Sequence, residues 1–230
     1  MAKPSPRDAA SDPSSAPAPA SAPADAEPSF LARLWAQFGG IVTAAVLVLF
    51  ARGSLADHYY VPSGSMKPTV EIDDRIIVDK RAYGLRVPLT EHYLMLFDPP
   101  KRGDVVVLSS PEDGRVLLKR VVGLPGDDIA VRDGRVYLSE KPVPVREEGG
   151  QLVEVLDAKT HPLSLRHGGG PDLPNDTVPD GNIPPGKFLV MGDNRGDSRD
   201  GRFFGLVDRE LILGRAMGTY ELSGLRWTDL

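Results

Sequence analysis

Two serines and one lysine are the residues of this chain whose types and spacing suit covalent chemistry. Val61-Pro62-Ser63-Gly64-Ser65-Met66-Lys67-Pro68-Thr69 sets small hydroxyls between two prolines, a pattern that keeps the backbone out of helix and presents side chains on a constrained turn. Such a turn is a good seat for a nucleophile. A serine hydroxyl is nevertheless weak until a neighbouring group takes its proton, and by itself a turn of this composition is only a turn.

The base has to come from elsewhere in the chain. The four histidines, His58, His92, His161 and His167, sit in none of the Ser-, Gly- or Asp-rich motifs and read as solvated loop residues. No His-x-x-x-His pair, HExxH or G-x-S-x-G context occurs, so a metal hydrolase or a Ser-His-Asp hydrolase has little support. With no cysteine, thiol catalysis, disulfides and Cys-based zinc sites are excluded together. The Gly192–Gly205 stretch lacks the Lys-Ser/Thr ending of a phosphate loop. Lysine is the remaining candidate, and Lys119 interrupts Val116-Leu117-Leu118-Lys119-Arg120-Val121-Val122. Period-2 alternation puts it between Leu117 and Val121 on one face, where partial burial would lower its pKa and make it a base near neutral pH. From this strand alone, a surface lysine snorkelling over apolar neighbours is the preferred reading.

The elements that must position these groups follow from composition. The chain has 230 residues, 41% hydrophobic and 26% charged, enough for one sizeable domain or two small ones. A net charge of -5 argues against nucleic acid as a partner. Residues 1–29 are rich in Pro, Ala and Ser and read as a disordered tail. Leu34 to Ala51 then runs for 18 residues without a charge, roughly 27 Å of helix against a hydrocarbon layer of about 30 Å. A single transmembrane anchor over 30–56 is preferred to a buried core helix and to a cleavable signal peptide ending at Ser54-Leu55-Ala56, because the long acidic tail is a poor leader start. One arginine flanks each end of the run, so charge gives no orientation.

The rest reads as mainly β, with many Pro and Gly turns between β-branched runs. Ile76-Ile77-Val78 is a short strand. Val105–Leu108 and Val116–Val122 form a hairpin about Pro111-Glu112-Asp113-Gly114, and Ile129–Leu138 forms another about Asp133-Gly134. Leu94-Met95-Leu96-Phe97 is assigned to core packing in preference to a membrane-facing rim. Residues 57–140 and 186–230 make up the catalytic β domain, and 141–185 a loop-rich insertion or smaller β subdomain.

Taken in order, Ser63-Gly64-Ser65-Met66-Lys67-Pro68-Thr69, Asp74-Arg75-Ile76-Ile77-Val78, Arg102-Gly103-Asp104-Val105-Val106-Val107, Lys119-Arg120-Val121-Val122-Gly123-Leu124-Pro125-Gly126-Asp127, and Gly192-Asp193-Asn194-Arg195 with Asp197-Ser198-Arg199-Asp200 resemble the successive boxes of bacterial type I signal peptidases. The likeness runs from the apolar stretch to Gly205 and leaves out the tail and 141–185.

The resemblance implies Ser65 as nucleophile and Lys119 as general base, with Ser198 orienting the lysine. It implies Ser63 Oγ and the Ser65 N–H as oxyanion donors, Asp200 and Arg202 as a supporting ion pair, and Val61, Met66 and Leu118 as walls of shallow pockets for small side chains. Neither metal nor cofactor is implied. The expected protein is a monomer in the bacterial inner membrane, passing once, with its catalytic domain on the periplasmic side. It would cleave exported preproteins after Ala-x-Ala sites. A conjugation or pilin-type transfer peptidase of the same superfamily, and a membrane-tethered β domain that binds peptides without cleaving them, are the alternatives. Gly196 and Gly201 depart from the family pattern, which often has an acidic residue and a serine there, and point to a looser loop beside Ser198.

Overall fold

The computed structural model describes residues 29–54, 56–86, 92–221 and 226–230. The tail expected over 1–29 therefore lies, except for Ser29, outside the described residues. By contacts the chain divides into residues 1–44 and 45–230.

Helix α1 (Phe30–Ser54) is 25 residues long and contains the apolar stretch. The side chains at 32, 46 and 49–54 lie outside the described residues. Among the described residues no helix is long and apolar enough to cross a membrane. The transmembrane anchor expected over 30–56 is therefore not shown among the described residues.

The strands follow in chain order: β1 (Ala56–Tyr60), β2 (Arg75–Asp79), β3 (Gly84–Arg86), β4 (Tyr93–Leu96), β5 (Val105–Ser109) and β6 (Val116–Gly123). Then come β7 (Ile129–Arg132), β8 (Arg135–Leu138), β9 (Lys141–Pro142), β10 (Val145–Glu148), β11 (Gln151–Leu156) and β12 (Lys159–Leu163). The chain finishes with β13 (Lys187–Met191), the one-turn helix α2 (Gly201–Phe204), β14 (Val207–Asp208), β15 (Ile212–Glu221) and β16 (Arg226–Asp229). The fold is mainly β, as expected.

One eight-stranded antiparallel sheet in the order β1-β2-β15-β5-β6-β13-β14, with β16 on β15, is the scaffold. Its centre is the β5–β6 hairpin, whose register sets Val106 opposite Lys119 and Val107 opposite Leu118. Alternation along β5 explains why all of it is buried. Val105 and Val107 join Val61, Met66, Val70, Ile76 and Val78 in one cluster, while Val106 and Leu108 pack with Val121, Phe188 and Val190 in another. The second expected hairpin forms as β7–β8, turning through Asp133 and Gly134 at positive φ. Residues 141–185 hold β9 to β12 followed by two short 3-10 turns, and their Val143, Leu156, Leu173 and Ile183 share a third cluster with Val122, Leu189 and Met191.

The assignment of Leu94 to Phe97 to the core does not hold. β4 pairs only with β3, in a two-stranded sheet, and Leu94, Met95, Leu96 and Phe97 stay 47–67% exposed.

Candidate active site

The Ser-Gly-Ser turn folds as one turn of 3-10 helix, Gly64–Met66, just after β1. Val61 anchors its entry by exchanging hydrogen bonds with Asp73 and Asp74, the Asp73 N–H donating to the Val61 carbonyl and the Val61 N–H to the Asp74 carbonyl. Met66 is driven into the apolar cluster beneath the turn and is 1% exposed. With that side chain pinned inside, the neighbouring Ser65 faces a cleft of about 450 Å³. From the other side Asn194 grips the turn through two donors, its N–H to the Ser65 carbonyl (3.0 Å) and its Nδ2 to the Gly64 carbonyl (3.0 Å).

Strand β6 delivers the lysine. Lys119 Nζ donates to Ser65 Oγ at 2.8 Å and to the Leu118 carbonyl at 3.0 Å. The side chain is only 2% exposed. Burial disfavours the ammonium form and pulls its pKa down to about 8, with the nearby carboxylates of Asp200 and Asp193 opposing part of that shift. Among the described residues, no carboxylate forms a salt bridge with it. This is the chemistry of a base: an amine held next to a hydroxyl, with part of its population neutral at moderate pH.

Val61, Met66 and Leu118 line the same cleft as Ser63, Ser65 and Lys119. Tyr59, Ile76, Val107 and Leu117 extend the apolar wall, and Arg115 and Arg199 lie at its edge. The Ser63 hydroxyl makes no capping bond to the 3-10 turn, and the residue is exposed.

The loop after β13 packs behind this pair. Asp200 and Arg202 form a fully buried ion pair, Arg202 Nε to Asp200 Oδ1 and Nη2 to Oδ2, both 2.9 Å. Arg202 also donates to the carbonyls of Arg195 (2.7 Å) and Gly169 (2.5 Å), and Asp200 accepts from the Gly192 N–H at 3.0 Å. Ser198 is buried, and among the described residues its Oγ has no hydrogen-bond partner, so the expected contact orienting Lys119 is not made; it lies beside Gly192, where an added Cβ would collide with Ser198 Oγ and with the Ser65 carbonyl. The glycine at 192 is what lets the loop and the Ser65 turn approach this closely.

The looser loop expected from Gly196 and Gly201 is corrected by the packing around them. A Cβ at 196 would strike the Arg166 carbonyl, and one at 201 would stand 2.6 Å from Leu189 Cδ1 and 2.9 Å from the Val190 carbonyl. Both glycines are tight-packing positions.

Comparison with known proteins gives the chain its family. A family model described as signal peptidase, peptidase S26, matches residues 34–221. The chain belongs to that family of signal peptidases. It is similar to the signal peptidase I of Pseudomonas fluorescens, 33% identical with 76% of this chain and 68% of the relative covered. The signal peptidase I of Pseudomonas aeruginosa is 34% identical over 80% of this chain and 69% of its own length, and that of Bacillus licheniformis 32% over 82% and 90%. Family membership makes the chain a serine peptidase.

Sequence reasoning missed one layer of this signal peptidase. His161, read as a solvated loop residue, is 3% exposed on β12, where both ring nitrogens face protein oxygens. Glu154, Arg195 and Arg120 are buried with it. The available signal was the arginine in Asp193-Asn194-Arg195, a charge next to a run of buried strand residues, but its partner on β11 is 41 positions away and no local pattern ties the two.

Proposed function

We propose that this signal peptidase is a membrane-anchored Ser/Lys endopeptidase that removes N-terminal signal peptides from exported preproteins after small-x-small sites. The observation that carries the reading is the 2.8 Å hydrogen bond from a buried, pKa-lowered Lys119 to Ser65 Oγ. Neutral Lys119 accepts the Ser65 proton as the oxygen attacks the scissile carbonyl. The new ammonium then protonates the leaving amine as the C–N bond breaks, leaving an ester on Ser65. A water, deprotonated by the same amine, attacks that ester and restores both side chains while releasing the signal peptide as a carboxylic acid. Ser63 Oγ and the Ser65 N–H stabilise the oxyanion, and Ser198, whose buried Oγ has no partner among the described residues, supplies a hydroxyl to orient the lysine during turnover.

Small side chains at the cleavage site suit a cleft walled by Val61, Met66 and Leu118, since larger ones would have to displace buried residues. The anchor reading draws support from α1, which leaves Leu31, Trp35, Phe38, Ile41, Leu47 and Val48 45–74% exposed, apolar surface that a bilayer would cover. In this reading the protein acts as a monomer with its catalytic part on the periplasmic side of the inner membrane, and tethering raises its effective concentration toward membrane-bound substrates.

The test is cleavage of an Ala-x-Ala preprotein by Ser65→Ala and Lys119→Ala proteins of unchanged circular dichroism. Each should be inactive, and turnover by either would sink the Ser/Lys assignment.

A further inference from the structure

The β11–β12 hairpin lies outside every motif shared with the family, yet it is bonded to the loop that grips the nucleophile. Arg195 donates to both Glu154 oxygens, at 3.2 and 2.5 Å, and all but 1% of its surface is covered. The Ser164 N–H donates to the Asp193 carbonyl and the Arg195 N–H to the Ser164 carbonyl, both at 2.9 Å. Between those two anchored residues stands Asn194, whose two donors hold the Ser65 and Gly64 carbonyls. Displacement of the hairpin would therefore move the turn that presents Ser65.

His161 sits at the centre of this attachment. Its Nε2 lies 3.1 Å from Glu154 Oε2, and its Nδ1 lies 3.1 Å from the Pro162 carbonyl and 3.4 Å from Asp193 Oδ1. Every one of these oxygens is an acceptor. Both carboxylates are kept ionised by arginines: Glu154 by Arg195, and Asp193 by Arg120, whose Nε and Nη2 donate at 2.9 and 2.7 Å. Thr69 Oγ1 adds a further donor to Asp193 at 2.5 Å. The charged groups around the ring are Glu154 on β11, Asp193 and Arg195 after β13, and Arg120 on β6. The ring thus meets a carboxylate through each of its nitrogens.

We propose that Glu154 and His161 are positioning residues of the peptidase, and that the buried His161 ring, bridging Glu154 and Asp193, fixes the Asp193–Arg195 segment that holds the Ser65 turn. The proposal rests on the reading of Ser65 as the nucleophile. It gives residues 141–165 a role in catalysis through geometry, without contact with substrate.

The experiment uses the full chain, 15N-labelled in detergent micelles, with the Asn194 side-chain amide signal assigned by its loss in Asn194→Ala. That signal should shift in both His161→Gln and Glu154→Gln, in Ser65→Ala protein as in the native chain, and an unmoved signal in either folded variant would overturn the proposal. In kinetics, His161→Gln and Glu154→Gln should each lower kcat about tenfold with KM within about twofold, since orientation and not ground-state binding is lost. Native kcat in folded His161→Gln, with Ser65→Ala inactive, would overturn the positioning role alone. Turnover in Ser65→Ala would instead overturn the reading on which it rests.

Discussion

Lys119 and Arg202 are both buried cations, but only one of them has a carboxylate in contact. Lys119 meets a hydroxyl and a carbonyl, and the nearest opposing charges act on it from a distance. Arg202 has both Asp200 oxygens and three backbone carbonyls, those of Arg195, Gly169 and Pro171. The pairing rule repeats at Arg120–Asp193 and Arg195–Glu154. Desolvation is therefore left uncompensated at the front of the site, where it lowers the pKa of the amine to about 8, and is compensated behind it, where it yields rigidity.

Substitutions can break this contrast on either side. The largest effect should come from Lys119→Met, which removes the base but keeps the stem: turnover of a preprotein should fall by at least about 10⁴-fold. The same variant should be more stable. Because the folded pKa of about 8 lies below the ordinary 10.5, folding at neutral pH forces the ammonium into a dry site. That gap corresponds to about 3 kcal/mol, present below pH 8 and recovered as pH rises from 8 to 10.5. Denaturant melts of Lys119→Met at pH 7 should show a gain of that sign, and a loss would contradict the uncompensated burial.

Behind the site the sign reverses. Asp200→Ala leaves Arg202 as an unpaired buried charge and should cost about 3–5 kcal/mol in the same melts. Smaller again is Ser63→Ala, expected to lower kcat by about 10²–10³ with little change in stability, as for loss of one oxyanion donor. An equal effect on KM would reassign Ser63 to substrate binding. The mildest test is the pH profile. Activity should climb on a limb centred near pH 8 as Lys119 loses its proton, and a profile flat between pH 7 and 9 would remove the amine from the mechanism.

How much of this was legible in the sequence follows from the range of the interactions. Strand periodicity located β2, the β5–β6 and β7–β8 hairpins and β13, because side-chain alternation and turn chemistry are local. Lys119 stood out for the same reason, as a charge inside an apolar strand, although the strand alone preferred it exposed. Ser65, Lys119, Asp200 and Arg202 came from the order of the boxes. The ionic layer did not, since Glu154, His161, Arg195 and Arg120 meet across three separate strands and a loop. Leu94 to Phe97 failed in the opposite direction: an apolar run of four reads as core, and nothing local reveals that its two-stranded sheet leaves it uncovered.

Gly196 has an evolutionary consequence. The Arg166 carbonyl occupies the space where a side chain at that position would begin, so an acidic residue there is incompatible with the present course of residues 164–170. A relative carrying a side chain at this position would need a different course for that segment. The two features should therefore change together across lineages, and a glycine-to-aspartate step is closed to this chain until the neighbouring loop has been rebuilt.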